Sequence, residues 1–455
     1  MKKIVRSIAA AVMCVAAAVG AVSCAKGGGE SKQDEPPVVE YILQYEYNGY
    51  GAYSVTGVER SDEENTGTLT VDIPSSYFGK PVTAISDNAF KNIQFVSAVK
   101  IPDSVAYIGS NAFDGCSALT ALDIGNGVVV MGDNAFGDCD ALCAVRYWGT
   151  VAEWCDITFI DQHSNPLMYS DDFYIDGARA LSISVPAGVS VVRPYAFVGC
   201  DSIESLSFSS DIRFIGESAF GGCVNLSDVK FAEGLKSIGL SAFTGAPIYS
   251  VTLPSTLTSI APYAFYGSKI YEIYNLSELQ LTAGETEHGG VAQYAIDIMS
   301  NADRPSGVRM SDGFCFYTSG DGTQLLTGTT SSSAVVTLPV TEKPYKIADR
   351  AFELRDDIVK ISLSESVTEI GQAAFLLCSR LVEIDVPLGM KKSGAGAFFM
   401  CSMLKTVNYA GTRSDWEKIE FVVSQDGDDA IYANTSDPLY NGAELYTKVL
   451  SAAAR

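Results

Sequence analysis

The sequence predicts an α/β repeat solenoid: rungs of about 23 residues, one parallel β-sheet, and short helices or irregular turns on the other side. Three observations carry that expectation. The dipeptide Ala-Phe recurs, ending at Phe90, Phe113, Phe136, Phe197, Phe220, Phe243, Phe265, Phe352, Phe375 and Phe398. Seven of the nine steps between these phenylalanines are 22 or 23 residues; the other two are 61 and 87. Such a fixed period marks stacked structural repeats. The surroundings recur as well. Ile-Gly precedes Phe at Ile108-Gly109, Ile215-Gly216, Ile238-Gly239 and Ile370-Gly371, and Cys follows it at Cys116, Cys139, Cys200, Cys223, Cys378 and Cys401. Each unit then carries an alternating triplet such as Leu122-Asp123-Ile124 or Ile384-Asp385-Val386.

The physics of one rung follows. An alternating triplet puts two apolar side chains on one face and one polar side chain on the other. A lone rung cannot bury its apolar face, but rungs stacked about 4.8 Å apart bury it against each other. Phe fills the interior at the turn, and Gly after Ile permits a tight or left-handed bend. Pro102, Pro254 and Pro387 follow strands, lack an N–H and end the ladder. Cys suits a repeated buried position, being small and apolar. The handedness expected of the solenoid is right-handed.

Residues 1–23 have the plan of a secretory signal peptide: Lys2, Lys3 and Arg6, then an apolar run from Ile8 to Val22. Ala21-Val22-Ser23-Cys24 resembles a bacterial lipobox, which implies that Cys24 is lipidated and becomes the first mature residue. Residues 24–39, rich in Gly and Pro, read as a flexible tether.

From about residue 40 to 450 the pattern closely resembles the BspA-like leucine-rich repeats of bacterial surface proteins. Their signature is L-x-x-[LIV]-x-[IL]-P-x-x-[VL]-x-x-I-G-x-x-A-F-x-x-C. Leu381 to Pro387 (LVEIDVP) and Ile370 to Cys378 (IGQAAFLLC) carry it well. Leu69 to Phe90 looks like a first repeat with an insertion. Phe243 and Phe265 lack the following Cys, and Val192-Arg193 and Ser393-Gly394 replace Ile-Gly.

A second motif, Y-x-G-T-x-x-x-W-x-x-I, occurs at Tyr147 to Ile157 and at Tyr409 to Ile419. Asn165-Pro166-Leu167 and Asp437-Pro438-Leu439 follow, each with a Tyr eight residues after the Pro, Tyr174 and Tyr446. The expected role is a block cap, a short amphipathic helix plugging the last rung; a Trp lining a sugar site is the other reading. The expected organisation is a repeat block with cap at 40–160, a second block at 161–275, an insert at 276–334 and a third block with a C-terminal cap at 335–455. In the insert, Phe314 to Tyr317, a Gly-Asp-Gly turn and Gln324 to Leu326 read as a β-hairpin. Residues 291–299 are left open between a helix turn or two and a strand.

Composition leans away from catalysis. The chain carries 31 basic and 54 acidic residues, net −23, and loss of the three signal-peptide cations leaves −26. Such a surface repels phosphate backbones, which argues against nucleic acid. His163 and His288 are the only histidines, and both read as loop residues with no nucleophile motif nearby. No C-x-x-C supplies a zinc site. Gly394-Ala395-Gly396 and Gly216-Glu217-Ser218 are repeat glycines rather than a phosphate loop or a nucleophile elbow. Asp426 to Asp429 and Ser61 to Glu64 are acidic turns without EF-hand spacing. The ladder cysteines project in parallel, which disfavours disulfides; a Cys143–Cys155 pair is left open. No catalytic residue, metal or cofactor is expected.

The expectation is therefore an exported, lipid-anchored, monomeric binding surface rather than an enzyme.

 The resemblance implies adhesion to host or neighbouring-cell proteins at the cell surface, through an extracellular protein ligand, with membrane contact by the lipid anchor alone. A glycan-binding or nutrient-capture lipoprotein and an enzyme housed in the 276–334 insert are the alternatives. The middle residue of each triplet points away from the core. The candidate binding face is thus Lys100, Asp123, Arg146, Ser184, Ser207, Lys230, Thr252, Ser362, Asp385 and Asn408.

Overall fold

The structure is a computed structural model that describes residues 41–61, 67–300, 307–329, 331–422 and 436–447. The signal-peptide, lipidation and tether expectations, including Cys24, lie outside the described residues, as do Asp62 to Glu64 and Asp426 to Asp429. The chain forms two compact units, residues 1–270 with 275–293 and residues 271–274 with 294–455.

In the first unit, strands Leu69–Asp72, Val96–Ile101, Ala121–Ile124, Ala144–Tyr147 and Asp172–Ile175 pair in parallel, one per rung. Ser182–Val185, Ser205–Phe208 and Asp228–Lys230 form a further parallel set. Alternation decides which side chains go inside: Leu122 and Ile124 are buried while Asp123 between them is half-buried. The other side was expected to hold only helices or irregular turns. It carries a second parallel ladder of short strands, among them Tyr107–Ile108, Val130–Met131, Phe214–Ile215 and Ser237–Ile238. An antiparallel strand, Tyr41–Tyr47, pairs with Tyr53–Arg60 at the start of that ladder.

The turn containing Ala-Phe is itself hydrogen-bonded from rung to rung. Asn88, Phe90 and Asn92 donate to the carbonyls of Ser110, Ala112 and Asp114 at 2.7–2.9 Å, and Ser218, Phe220 and Gly222 repeat the pattern toward Leu240, Ala242 and Thr244. Residues two before and two after Phe hold left-handed backbones: Asn88 and Asn92, Tyr195 and Gly199, Arg350 and Leu354. That conformation costs a residue other than glycine about 1–2 kcal/mol. In return every second N–H of the turn finds a carbonyl on the next rung.

The glycine after Ile does something other than bend the chain. Gly109 is not left-handed; a Cβ there would lie 2.4 Å from the backbone nitrogen of Asp87 on the preceding rung. Gly216 and Gly371 approach their neighbours as closely, at 2.5 Å. Close stacking, not a bend, excludes a side chain.

The phenylalanines stack along the interior. Ring centroids lie 4.8 and 5.1 Å apart along Phe90, Phe113 and Phe136, and 5.2–5.4 Å apart along Phe197, Phe220, Phe243 and Phe265. Trp154 and Phe173 fall within the 61-residue step between Phe136 and Phe197; their centroids are 4.8 Å apart, and Phe173 meets Phe197 at 6.4 Å. Trp154 sits on the helix Val151–Cys155, where Thr150 and Glu153 form a capping box. Its Nε1 donates to the Ala196 carbonyl at 2.7 Å, beside Phe197. The helix thus lies between two runs of rungs.

The ladder cysteines are buried thiols, not disulfides. The Cys116 thiol donates to the Phe90 carbonyl at 2.9 Å, Cys139 to Phe113 at 3.1 Å and Cys223 to Phe197 at 3.2 Å. Cys143 and Cys155, the pair left open from the sequence, are not joined in a disulfide. Burial pushes the Cys116 thiol up to about 12 and Cys200 up to about 11.

The second unit follows the same plan. Val335–Thr337, Lys360–Ser362, Glu383–Val386, Thr406–Tyr409 and Glu444–Thr447 pair in parallel. Phe352, Phe375 and Phe398 stack at 5.2 Å, and the Cys378 and Cys401 thiols donate to the Phe352 and Phe375 carbonyls. The second ladder opens with the expected hairpin, Phe314–Thr318 against Gln324–Thr329, joined by an antiparallel strand Val308–Ser311. Asp297–Met299, left open from the sequence, is a strand. Trp416 is buried behind a Thr412–Asp415 capping box and touches Tyr409 at 5.2 Å.

Candidate binding face

The ten candidate residues all lie on strands of the first ladders, with side chains turned from the core. Lys100, Ser184 and Lys230 are exposed; Asp123, Arg146, Ser207, Thr252, Ser362, Asp385 and Asn408 are half-buried. Parallel register aligns most of them into columns. In the first unit one column runs Asp72, Lys100, Asp123, Arg146, Tyr174. Another runs Ser184, Ser207, Lys230, and Thr252 lies on the strand Ser250–Leu253. In the second unit the column is Thr337, Ser362, Asp385, Asn408, Tyr446.

Within a column, neighbours on adjacent rungs bond each other. Lys100 pairs with Asp72 at 3.1 Å and Arg146 with Asp123 at 3.3 Å. The Arg146 guanidinium also lies 5.4 Å over the Tyr174 ring, within cation–π range. Ser207 donates to Ser184 at 3.3 Å. Lys230 turns sideways to Asp228 at 3.0 Å.

The second unit holds the densest network. Asp385 accepts from Ser362 at 2.5 Å and from Asn408 at 2.7 Å, and Lys360 reaches both Glu383, at 2.6 Å, and Asp385, at 3.2 Å. Burial works against ionisation of Asp385, but hydrogen bonds from Ser362, Asn408 and Lys360 outweigh it and hold its carboxyl below the usual range. Hydrogen bonds to Glu383 and then Asp385 hold Lys360 above its ordinary value. Beside this network lies a shallow groove of about 270 Å³, lined by Leu363, Glu365, Asp385, Pro387, Asn408 and Tyr409 among others. Sequence reasoning missed Asp72, Tyr174, Thr337, Lys360, Glu383 and Tyr446. The signal for the two tyrosines was present, since both follow the paired Pro motif at one spacing.

The remaining chemical candidates do not converge. His163 is half-buried, with Nδ1 2.6 Å from the Tyr169 hydroxyl. His288 starts a short 3-10 turn elsewhere in the chain. Among the described residues no group of three or more His, Cys, Asp or Glu could hold a metal ion. Among them, too, no helix is long and apolar enough to cross a membrane.

Two parallel strand ladders around stacked aromatic rings define the chain as a β-solenoid repeat protein. Six copies of the BspA type leucine rich repeat region match residues 69–164, 170–283 and 330–423, and the chain belongs to that family. No curated protein matches it. Among solved structures, a leucine-rich repeat protein from Bacteroides ovatus is 19% identical, covers 92% of this chain and 100% of its own, and has a TM-score of 0.38. A leucine rich cell surface protein from Faecalibacterium prausnitzii is 19% identical over 86% of this chain and 100% of its own, TM-score 0.34. The leucine rich repeat protein of T. pallidum is 21% identical over 45% and 86%, TM-score 0.30.

Proposed function

We propose that this chain is an exported surface lipoprotein that binds an extracellular protein through the outward columns of its first ladders, in adhesion to host or neighbouring cells. The observation that carries the reading is the columns themselves. Register places polar side chains of both signs in line, on strands whose inward residues alone make the core. Such positions can change without disturbing the fold, which is how repeat proteins acquire partners. The lipobox ending at Cys24 supports the anchor. Two or three acyl chains on that cysteine give stable membrane attachment, where one chain gives only marginal binding.

The test uses the mature chain immobilised against a set of extracellular-matrix and bacterial surface proteins, with a glycan array beside it. Lys230→Glu and Ser184→Tyr, both at exposed column positions, should weaken capture of a protein partner while the melting transition stays in place. Cys24→Ala should abolish acyl labelling and release the protein from the membrane. Normal capture by both column variants, with loss on altering the 276–334 insert, would move the site off the columns.

One observation favours a glycan instead. Tyr446, at the end of the second-unit column, leaves 53% of its surface exposed as a stacking platform. Glycan capture that needs Tyr446, without capture of any protein, would select that reading.

A further inference from the structure

The first turns of the chain present aromatic rings that the solenoid does not use. Tyr50 stands between Gly49 and Gly51, both left-handed, and is 97% exposed. Phe78 is 80% exposed and itself left-handed, φ +46°, in the turn that joins the antiparallel pair Ser76–Tyr77 and Lys80–Pro81. A bulky residue in that conformation is strained where Asn or Gly would not be. Between these tips lies a continuous aromatic surface. Tyr47 meets Tyr53 at 5.5 Å, Tyr53 meets Tyr77 at 5.1 Å, and Tyr77 meets both Tyr45 at 3.9 Å and Phe78 at 4.4 Å. Lys80 sets its ammonium 4.1 Å over the Tyr47 ring.

We infer that this aromatic end docks on the lipid bilayer that holds the anchor, with Phe78 and Tyr50 entering the interface. The inference rests on the proposed lipidation of Cys24. The chain from Cys24 to the first strand at Tyr41 is short. Its 17 residues span at most about 60 Å when extended. The Tyr41–Tyr47 strand leads from that attachment to the aromatic tips over roughly 20 Å. The bilayer is therefore the surface that these rings meet at high local concentration. Rings with an apolar body and a polar tip partition to the headgroup boundary, and a lysine stem can lie among them with its charge in water. Lys80 is the one cation that joins the ring cluster among the described contacts, while Glu46 is exposed on the neighbouring strand. Attraction to anionic lipid is thus a minor part, and binding is expected to persist at high salt.

The experiment uses the mature chain, residues 24–455 with Cys24→Ala, and flotation with phosphatidylcholine vesicles at low and high salt. The unacylated chain should float with the vesicles at both. Phe78→Asn, which suits a left-handed turn, combined with Tyr50→Ser should lower the partition coefficient by roughly tenfold or more with an unchanged melting transition. No flotation of the unaltered chain, or equal flotation of the double variant, overturns the inference. Capture of a glycan or a protein that depends on Tyr50 and Phe78, with no flotation, overturns it as well and assigns the rings to that ligand. Acyl labelling of Cys24 in cells is read separately, so failure of the anchor is distinguishable from failure of the docking surface.

Discussion

Truncating Phe220 to Ala tests the interior stack at its middle. The ring is fully buried, stacked on Phe197 at 5.2 Å and Phe243 at 5.4 Å with interplanar angles of 4° and 6°, and edged by Phe208 at 6.2 Å. Removing a buried Phe costs about 3–5 kcal/mol through lost transfer energy and the cavity left behind. Each ring pair adds about 0.5–1.5 kcal/mol beyond buried area. Two stacked pairs and the edge contact with Phe208 are lost here, and the cavity cannot collapse readily because Ser218, Phe220 and Gly222 are tied to the next rung by backbone hydrogen bonds. The expected loss is therefore near the upper end, about 5 kcal/mol. A repeat array need not unfold in one step, so the sharper assay is native-state hydrogen exchange. Protection should fall at the amides of Phe197, Phe220 and Phe243 and stay intact around Phe113. A loss below about 1 kcal/mol, or an equal fall of protection at Phe113, would refute the stack as the local core.

Four further outcomes are expected. Gly109→Ala should cost about 1–3 kcal/mol in chemical denaturation, because its Cβ meets the Asp87 backbone. The ladder thiols should resist a thiol reagent in the native protein, and all six should react after denaturation without reductant; a need for reductant would mean disulfides. The native Cys116 thiol, held up to about 12, stays protonated where the unfolded thiol, at about 8.5, ionises. Its effect on stability is therefore nil below about pH 8.5 and turns destabilising as pH rises from there to about 12. Denaturation midpoints at pH 8 and pH 10.5 should accordingly differ less for Cys116→Ala than for the unaltered chain. Thr150→Ala should cost about 1 kcal/mol by removing the capping box of the Trp154 helix, read as a lowered melting temperature.

The period in the sequence already contained the rung, the stacked phenylalanines and the outward middle positions, because each depends only on residue type at a fixed spacing. What it hid were contacts between rungs. Cys116 donates to Phe90, 26 residues earlier, so its reason is a register rather than a motif. Gly109 reads as a bend until the preceding rung is seen against it. The left-handed positions are filled by Asn, Tyr, Ser, Arg and Leu as well as Gly, so composition gives them no mark. Asp123 and Asp385 were legible as outward residues. Lys360, which bonds Asp385, was not, because it lies at a strand's first position and reaches across to the next rung.

The Trp154 joint bears on how such a chain can grow. Within a run, any added segment must match the rung period or every thiol, ring and glycine loses its counterpart. At the joint, 61 residues separate Phe136 from Phe197, yet the indole packs on Phe173 and Phe173 on Phe197, so the aromatic interior leads into the second ring stack. The helix that carries Trp154 is held at one end by its own cap and at the other by the Ala196 carbonyl. Recombination at this point could exchange one run for another of different rung number without a matching length. Lengthening and diversification would then proceed by splicing whole runs, with the joint as the standard coupling between them.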